Sequence, residues 1–217
     1  MTPAPATILG CPFCGGEKKV MSIASGNTYG GTVWSDTRRR YPMLPEVSDI
    51  QKCPQCGKYY FLDQASQRMA DWDDYSGELG LLSYDELREA KQQMDSLTLS
   101  DLQRWVLDHM LFLAHNDRFH RCGSDERREP TEEEKALFYE TVGHLLQGIH
   151  LSKDYRLFEA ELLRESGRFE EASLALKGQD FGDDAWIAEM MLHHIGLRDM
   201  RPFLLIKEGQ IQKSLKS

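Results

Sequence analysis

One five-residue pattern occurs twice in this chain, as Cys11-Pro12-Phe13-Cys14-Gly15 and as Cys53-Pro54-Gln55-Cys56-Gly57. Each copy has the makings of a tight turn that aims two sulfurs at one point. Proline fixes φ near −65° and suits the first central position of such a turn. Glycine after the second cysteine tolerates positive φ, which lets its amide approach and hydrogen-bond a thiolate. Two such knuckles supply four thiolates, the closed tetrahedral set of a structural zinc site. Four thiolates outweigh the charge of one Zn²⁺, so amide donors around the sulfurs are expected. Unpaired buried thiols and disulfide redox chemistry are the competing readings. A redox site, however, uses a single pair in a βαβ setting, and an intracellular chain with two pairs reads as metal-binding.

The doubled Cys-Pro-x-Cys-Gly resembles the zinc-ribbon and rubredoxin-like group of small metal-binding β domains. The resemblance covers residues 8–62 and implies one structural Zn²⁺ on Cys11, Cys14, Cys53 and Cys56, with iron as the less favoured metal. The pairs are separated by 38 residues, more than a compact double knuckle needs, so an extra hairpin or excursion is expected between them. Strand patterns are read at Val20–Ala24, around Thr32-Val33-Trp34 and over Lys58–Leu62, with a turn at Ser25-Gly26-Asn27. A ribbon of this size builds little core of its own, so the metal would contribute directly to its folding.

The excursion carries Arg38-Arg39-Arg40-Tyr41, with Trp34 close by. Trp34, Arg38, Arg39, Arg40 and Tyr41 could grip a phosphate backbone and stack on bases. The favoured reading is a solvated loop, or a basic run paired with acidic groups of the same chain. Residues 1–80 hold 8 basic and 9 acidic side chains, and the rest hold 18 and 26, so neither part attracts nucleic acid overall. Residues 63–82 read as a linker with one helical turn, in which Trp72 and Tyr75 pack the ribbon against the helices. Its Asp71, Asp73 and Asp74 fail the calcium-loop pattern, because Tyr75 and Ser76 stand where an oxygen ligand and a glycine are required.

From Ser83 onward the apolar period becomes helical. Ser83 and Glu86 form a capping box for a helix over 84–95, and Thr98 caps a second over 99–115. Thr131 and Glu134 cap a third over 131–150, and a fourth pattern covers 184–196 and ends at Gly196. Between them, Ala160-Glu161-Leu162-Leu163-Arg164-Glu165-Ser166-Gly167-Arg168-Phe169-Glu170-Glu171-Ala172 resembles the middle of a tetratricopeptide repeat. Gly167 sits at the turn, and Ala160, Phe169 and Ala172 hold the packing positions. That resemblance covers 153–178 and implies a helical hairpin, completed as a layer by the flanking helices because one repeat cannot stack alone. Met190 and Met191 read as core. Periodicity leaves residues 202–211 open between a final helix and a hairpin.

The expected fold class is therefore α+β: a loose N-terminus over 1–7, a ribbon over 8–62, the linker, and a larger all-α domain over 83–217. The net charge is −9, and no apolar stretch reaches membrane-spanning length. The first residues lack the basic and apolar regions of a signal peptide, so a cytoplasmic protein is expected. His115, His120 and Cys122 are the tempting second metal cluster, but the two histidines are five residues apart and do not share a helical face. They read as solvated or carbonyl-capping groups near a helix end. His144 and His150 fare no better, and Cys122 reads as inert. No nucleophile elbow, phosphate loop, dinucleotide fingerprint or His-Glu-x-x-His is present. The expectation is a zinc-binding, non-enzymatic adaptor with a protein or peptide partner on its helical domain. A nucleic-acid-binding ribbon is the alternative, and a rubredoxin-like iron electron carrier is a remote one.

Overall fold

A computed structural model describes residues 1–95, 97–120, 129–152 and 155–205. It shows small sheets near the N-terminus and a larger helical part, the α+β class expected. The strands are β1 (Thr2–Gly10), β2 (Glu17–Ser25), β3 (Thr32–Val33), β4 (Arg39–Arg40), β5 (Ile50–Lys52), β6 (Tyr59–Phe61) and β7 (Ser66–Met69). The helices are α1 (Tyr84–Met94), α2 (Asp101–Asn116), α3 (Glu132–Gln147), α4 (Tyr155–Glu165), α5 (Phe169–Leu176) and α6 (Ala185–Gly196). Two compact units divide the chain discontinuously. The first comprises Met1–Gly31 and Arg40–Leu107, and the second comprises Thr32–Arg39 and the chain from Asp108 onward.

In the first unit β1 is the central strand of an antiparallel sheet ordered β2-β1-β7. The expectation of a loose N-terminus over 1–7 is thus overturned. Residues that precede proline are pushed to extended backbone, which favours a strand here. The prolines also cost the ladder little. β7 pairs only with Thr7–Gly10, so Pro3 and Pro5 lie where β1 has one neighbour and a missing N–H goes unused. Ala6, Ile8 and Ala70 pack together beneath this sheet. The second small sheet is the β5–β6 hairpin, in which Ile50, Gln51 and all of β6 are buried.

Helix α1 begins with the expected Ser83–Glu86 capping box and buries Leu87, Ala90 and Met94. Its polar side reaches the β5–β6 hairpin. Glu89 accepts hydrogen bonds from Tyr59 Oη (2.5 Å) and Lys52 Nζ (2.8 Å), while Gln93 accepts from the Tyr59 amide at 3.4 Å. Trp72 and Tyr75 do not act as packing residues. They are 79% and 48% exposed, and the irregular, acid-rich stretch that carries them is tied to the sheet at Asp74, whose carbonyl accepts from the Ala6 amide and whose carboxylate pairs with Lys19 of β2 at 2.5 Å.

In the second unit a core of Ala160, Leu163, Phe169, Ala172, Leu176, Ala188, Met191 and Ile195 joins α4, α5 and α6, with Phe203 beside them. Phe112 of α2 packs against Phe138 of α3 and Phe158 of α4, each with ring centres 5.9 Å apart. The α4–α5 turn closes on Gly167 at φ +79°, with the Arg168 amide bonded to Leu163 O and the Gly167 amide to Arg164 O. This is the paired bonding of a Schellman cap, which places a left-handed residue just past the helix. Helix α6 ends the same way, but on Arg198 at φ +54° rather than on Gly196, which lies inside the helix. Likewise α2 is capped by Ser100 with Gln103 instead of Thr98, and α3 starts at the expected Thr131–Glu134 box.

The segment Thr32–Arg39 belongs to this helical unit. The Ser35 amide donates to Phe203 O and the Leu205 amide to Val33 O, a short antiparallel pairing bridged at Trp34 and Leu204. Of the tail over 202–211, residues up to 205 are therefore extended and the remainder lies outside the described residues. Among the described residues no helix is long and apolar enough to cross a membrane.

Candidate metal centre

Both knuckles are hairpin turns. The first joins β1 to β2 between the paired residues Gly10 and Glu17, and the second joins β5 to β6 between Lys52 and Tyr59. Their backbones repeat one another. Cys11 N donates to Gly16 O and Cys53 N to Lys58 O, both at 2.9 Å, and Gly15 N and Gly57 N return to the carbonyls of Cys11 and Cys53. Gly15 and Gly57 stand at φ +72° and +71°, the left-handed conformation their positions required. Their amides, however, serve the backbone. Amides that do reach sulfur include Phe13 N to Cys11 Sγ, Gly16 N to Cys14 Sγ and Cys56 N to Cys53 Sγ, at 3.4, 3.4 and 3.5 Å.

The four sulfurs of Cys11, Cys14, Cys53 and Cys56 lie within 4.8 Å of one another, with Cys11 and Cys53 buried and Cys14 and Cys56 exposed. Cys14 Sγ is 3.6 Å from Cys53 Sγ, and Cys11 Sγ is 3.8 Å from Cys56 Sγ. A disulfide would require about 2.05 Å. A metal bound tetrahedrally at about 2.3 Å from each sulfur would place the sulfurs about 3.8 Å apart. The donor set and its spacing fit one tetrahedral thiolate-bound ion.

Burial opposes ionisation of Cys53, but the amides of Cys56 and Gln55 and the adjoining thiols bring its pKa down to about 7. The Gly16 amide favours the Cys14 thiolate, yet the Cys56, Cys53 and Cys11 sulfurs together with burial raise it to about 12. Without a cation the cluster thus resists collecting further thiolates, and a metal ion removes that opposition. Tyr60, fully buried against Cys11 and Cys53, is raised to about 12 by burial and by the sulfurs around it. Lys58 lies over the Phe13 ring, 4.8 Å from its centre, and puts a positive charge beside the first knuckle.

The arginine run is split by the fold. Trp34 is 8% exposed, with its ring 4.5 Å from that of His120, so no open face remains for a base. Arg38 bonds Asp117 Oδ2 at 2.9 Å, the pairing with an acidic group of the same chain expected from the charge balance. Arg39 and Arg40 form β4 and are exposed, and Tyr41 lies partly buried against Gly31, whose added Cβ would meet the Tyr41 ring at 2.1 Å.

The histidines near the end of α2 correct another expectation. His115 and His120 are 6% and 4% exposed and face different surroundings. His115 packs on Phe138 with ring centres 4.5 Å apart, and burial lowers its pKa to about 4. His120 lies between two carboxylates, Asp36 Oδ2 at 2.8 Å from Nε2 and Asp117 Oδ1 at 3.2 Å from Nδ1. Burial works against its charged form, but Asp117 and Asp36 outweigh that and raise its pKa. Cys122, the third member of that cluster, lies outside the described residues.

Sequence reading missed the polar centre of the second unit. Asp36 is fully buried and accepts from Asn116 Nδ2 at 3.1 Å, and the same amide donates to Glu165 Oε2 at 2.7 Å. Arg164, also fully buried, grips Glu161 through Nε and Nη2 at 2.9 and 2.6 Å and donates from Nη1 to Asp199 O. The one available signal was the charged Glu161, Arg164 and Glu165 on a hairpin otherwise spaced for core packing.

Comparison of this chain with protein-family models, with curated proteins and with solved structures finds no match in any of the three.

Proposed function

We propose that this is a zinc-binding protein whose first unit is a ribbon built around one structural Zn²⁺ on Cys11, Cys14, Cys53 and Cys56, and that it acts as a non-enzymatic adaptor. The sulfur spacing of 3.6–3.8 Å across two matching hairpin turns carries the reading, because it suits an ion held by four thiolates with no open position for a substrate. Zinc is favoured over iron for such a closed site in a chain with no other redox signature. The adaptor role draws on the α4–α5 hairpin, whose Gly167 turn and Ala160–Phe169–Ala172 packing are tetratricopeptide-like. Helical layers of this kind present surfaces to protein or peptide partners.

Elemental analysis of protein purified without added metal tests the centre. One zinc per chain is expected, iron would move the reading to electron transfer, and no metal would end it. Affinity capture with the full chain, followed by direct binding of each recovered protein to purified wild type, tests the adaptor role. Failure of every candidate to bind directly would count against it.

A further inference from the structure

A groove of about 740 Å³ lies against the β2-β1-β7 sheet of the first unit, within the usual range of ligand clefts. Pro3, Pro5 and Thr7 of β1, Met69 of β7, and Trp72 and Tyr75 from the stretch after it stand in its lining. Thr7 Oγ1 and Ser22 Oγ, 2.7 Å apart, satisfy each other there. Met69, Trp72 and Tyr75 are 64%, 79% and 48% exposed. Single exposed apolar side chains need no explanation, but several gathered in one groove mark an interaction surface. Among the described residues the Trp72 and Tyr75 rings pack on no other ring, and the indole N–H and the phenol O–H have no hydrogen-bond partner.

The charge beside these rings is negative. Arg68, the one basic side chain in the lining, is held by both Glu17 oxygens at 3.0 Å, and Lys19 of β2 pairs with Asp74 at 2.5 Å. The N-terminal ammonium rests on Met43 Sδ at 3.8 Å, outside the lining. Asp71 and Asp73, on either side of Trp72 in the chain, are exposed, and among the described residues neither has an ion-pair partner. A phosphate backbone would be repelled here, whereas a cationic ligand is drawn to the aromatic end of the groove. The backbone of the ligand is constrained as well. Pro3 and Pro5 offer no amide, so an added β-strand would find an incomplete ladder along this part of β1. A polyproline II segment needs no ladder. Its prolines dock on aromatic side chains, its carbonyls are free to accept from donors such as an indole N–H and a phenol O–H, and its extended form is set before binding.

We infer that this groove docks an extended, proline-rich peptide segment with arginine at one end, the prolines packing on Trp72, Tyr75 and Met69 and the arginine pairing with Asp71 and Asp73. The surface is distinct from the helical one proposed above and rests on neither that partner nor the identity of the metal. It gives the adaptor reading a partner of defined chemistry on the first unit.

The test is calorimetric titration of the full chain, at low salt, with three capped peptides: two arginines followed by six prolines, two glutamates followed by six prolines, and two arginines followed by six alternating glycines and serines. The arginine–proline peptide is expected to bind with a Kd below about 1 mM and on the order of tenfold more tightly than either of the others. Its advantage over the glutamate peptide should shrink in about 1 M salt. Trp72→Ala, at so exposed a position, should leave the melting curve unchanged and weaken binding about tenfold. Asp71→Asn combined with Asp73→Asn should remove the preference for arginine over glutamate and keep the preference for proline. No binding of the arginine–proline peptide at millimolar concentration, equal binding of either other peptide at low salt, or unchanged binding by Trp72→Ala would each overturn the inference. Sedimentation of wild type beside Trp72→Ala covers the other occupant: monomers are expected in both, and a dimer that the substitution dissolves would assign the groove to a second copy of the chain instead.

Discussion

Asp36 Oδ2 and His120 Nε2 lie 2.8 Å apart with both side chains fully buried, joining the excursion between the two cysteine pairs to the end of α2. A buried pair of this kind is more costly to break than it is valuable to form, because the survivor is left without its counter-charge. Asp36→Asn keeps the shape and removes the charge. It should destabilise the second unit by about 3 kcal/mol in urea unfolding, and nuclear magnetic resonance should find the His120 pKa lowered from its wild-type value. The sign with pH follows. His120 is raised on folding, so its contribution is complete below about pH 6.5 and is lost as pH rises through its folded value. The gap between wild type and Asp36→Asn should accordingly narrow at alkaline pH.

His115 acts in the opposite direction. Its folded pKa of about 4 lies below the ordinary histidine value, so the unfolded chain takes up a proton that the folded one refuses. His115→Phe should remove that sensitivity. Its stability difference from wild type should shift in the variant's favour by about 1.4 kcal/mol per pH unit as pH falls from 6.5 to 4. Parallel denaturation curves at several pH values check this, and a pH-independent difference would refute it.

Removal of one ligand should unmake the metal centre as a whole. Cys53→Ser is expected to abolish stoichiometric zinc and unfold the first unit, since a structural zinc ion contributes about 10–16 kcal/mol of binding free energy to such a fold. The helices of the second unit should survive. Circular dichroism and limited proteolysis distinguish this outcome from unchanged helicity with unchanged cleavage, which would mean that the unit folds without metal.

Two glycines provide opposite expectations. A Cβ on Gly77 would lie 2.3–2.4 Å from the Val20–Met21 backbone, so Gly77→Ala must force the linker off β2. A loss of about 2 kcal/mol or more is expected, as for overpacking in a core. Gly143, inside α3, has nothing within 4 Å of its added Cβ, so Gly143→Ala should raise stability by up to about 1 kcal/mol. Thermal melts of the two variants beside wild type are sufficient.

The features legible in the sequence were those set locally. Cys-Pro-x-Cys-Gly fixes its own turn, Ser83 with Glu86 and Thr131 with Glu134 fix helix starts, and Gly167 fixes a helix end. What escaped reading depends on partners distant in the chain. β1 looks like a loose proline-rich start until β2 and β7 pair with it. Arg198 takes the left-handed position that local preference would give to glycine. Asp36 resembles any loop aspartate until Asn116 and His120 reach it. The four metal-site cysteines were identifiable because spacing alone defines them, and the buried Asp36–Asn116–Glu165 network was not, because three separate segments converge to build it.

The discontinuous make-up of the two units has a consequence for synthesis. The eight residues Thr32–Arg39 leave the ribosome before Cys53 and Cys56, yet their hydrogen-bonding partners Asn116, Glu165-bound through it, and Phe203 come much later. During that interval Asp36 and Trp34 are exposed on a loop whose two ends the first unit can already have secured. The piece of the helical unit made first is therefore the one that must wait longest, and a gene fragment starting at α1 would encode the later helices without the strand and carboxylate they fold around.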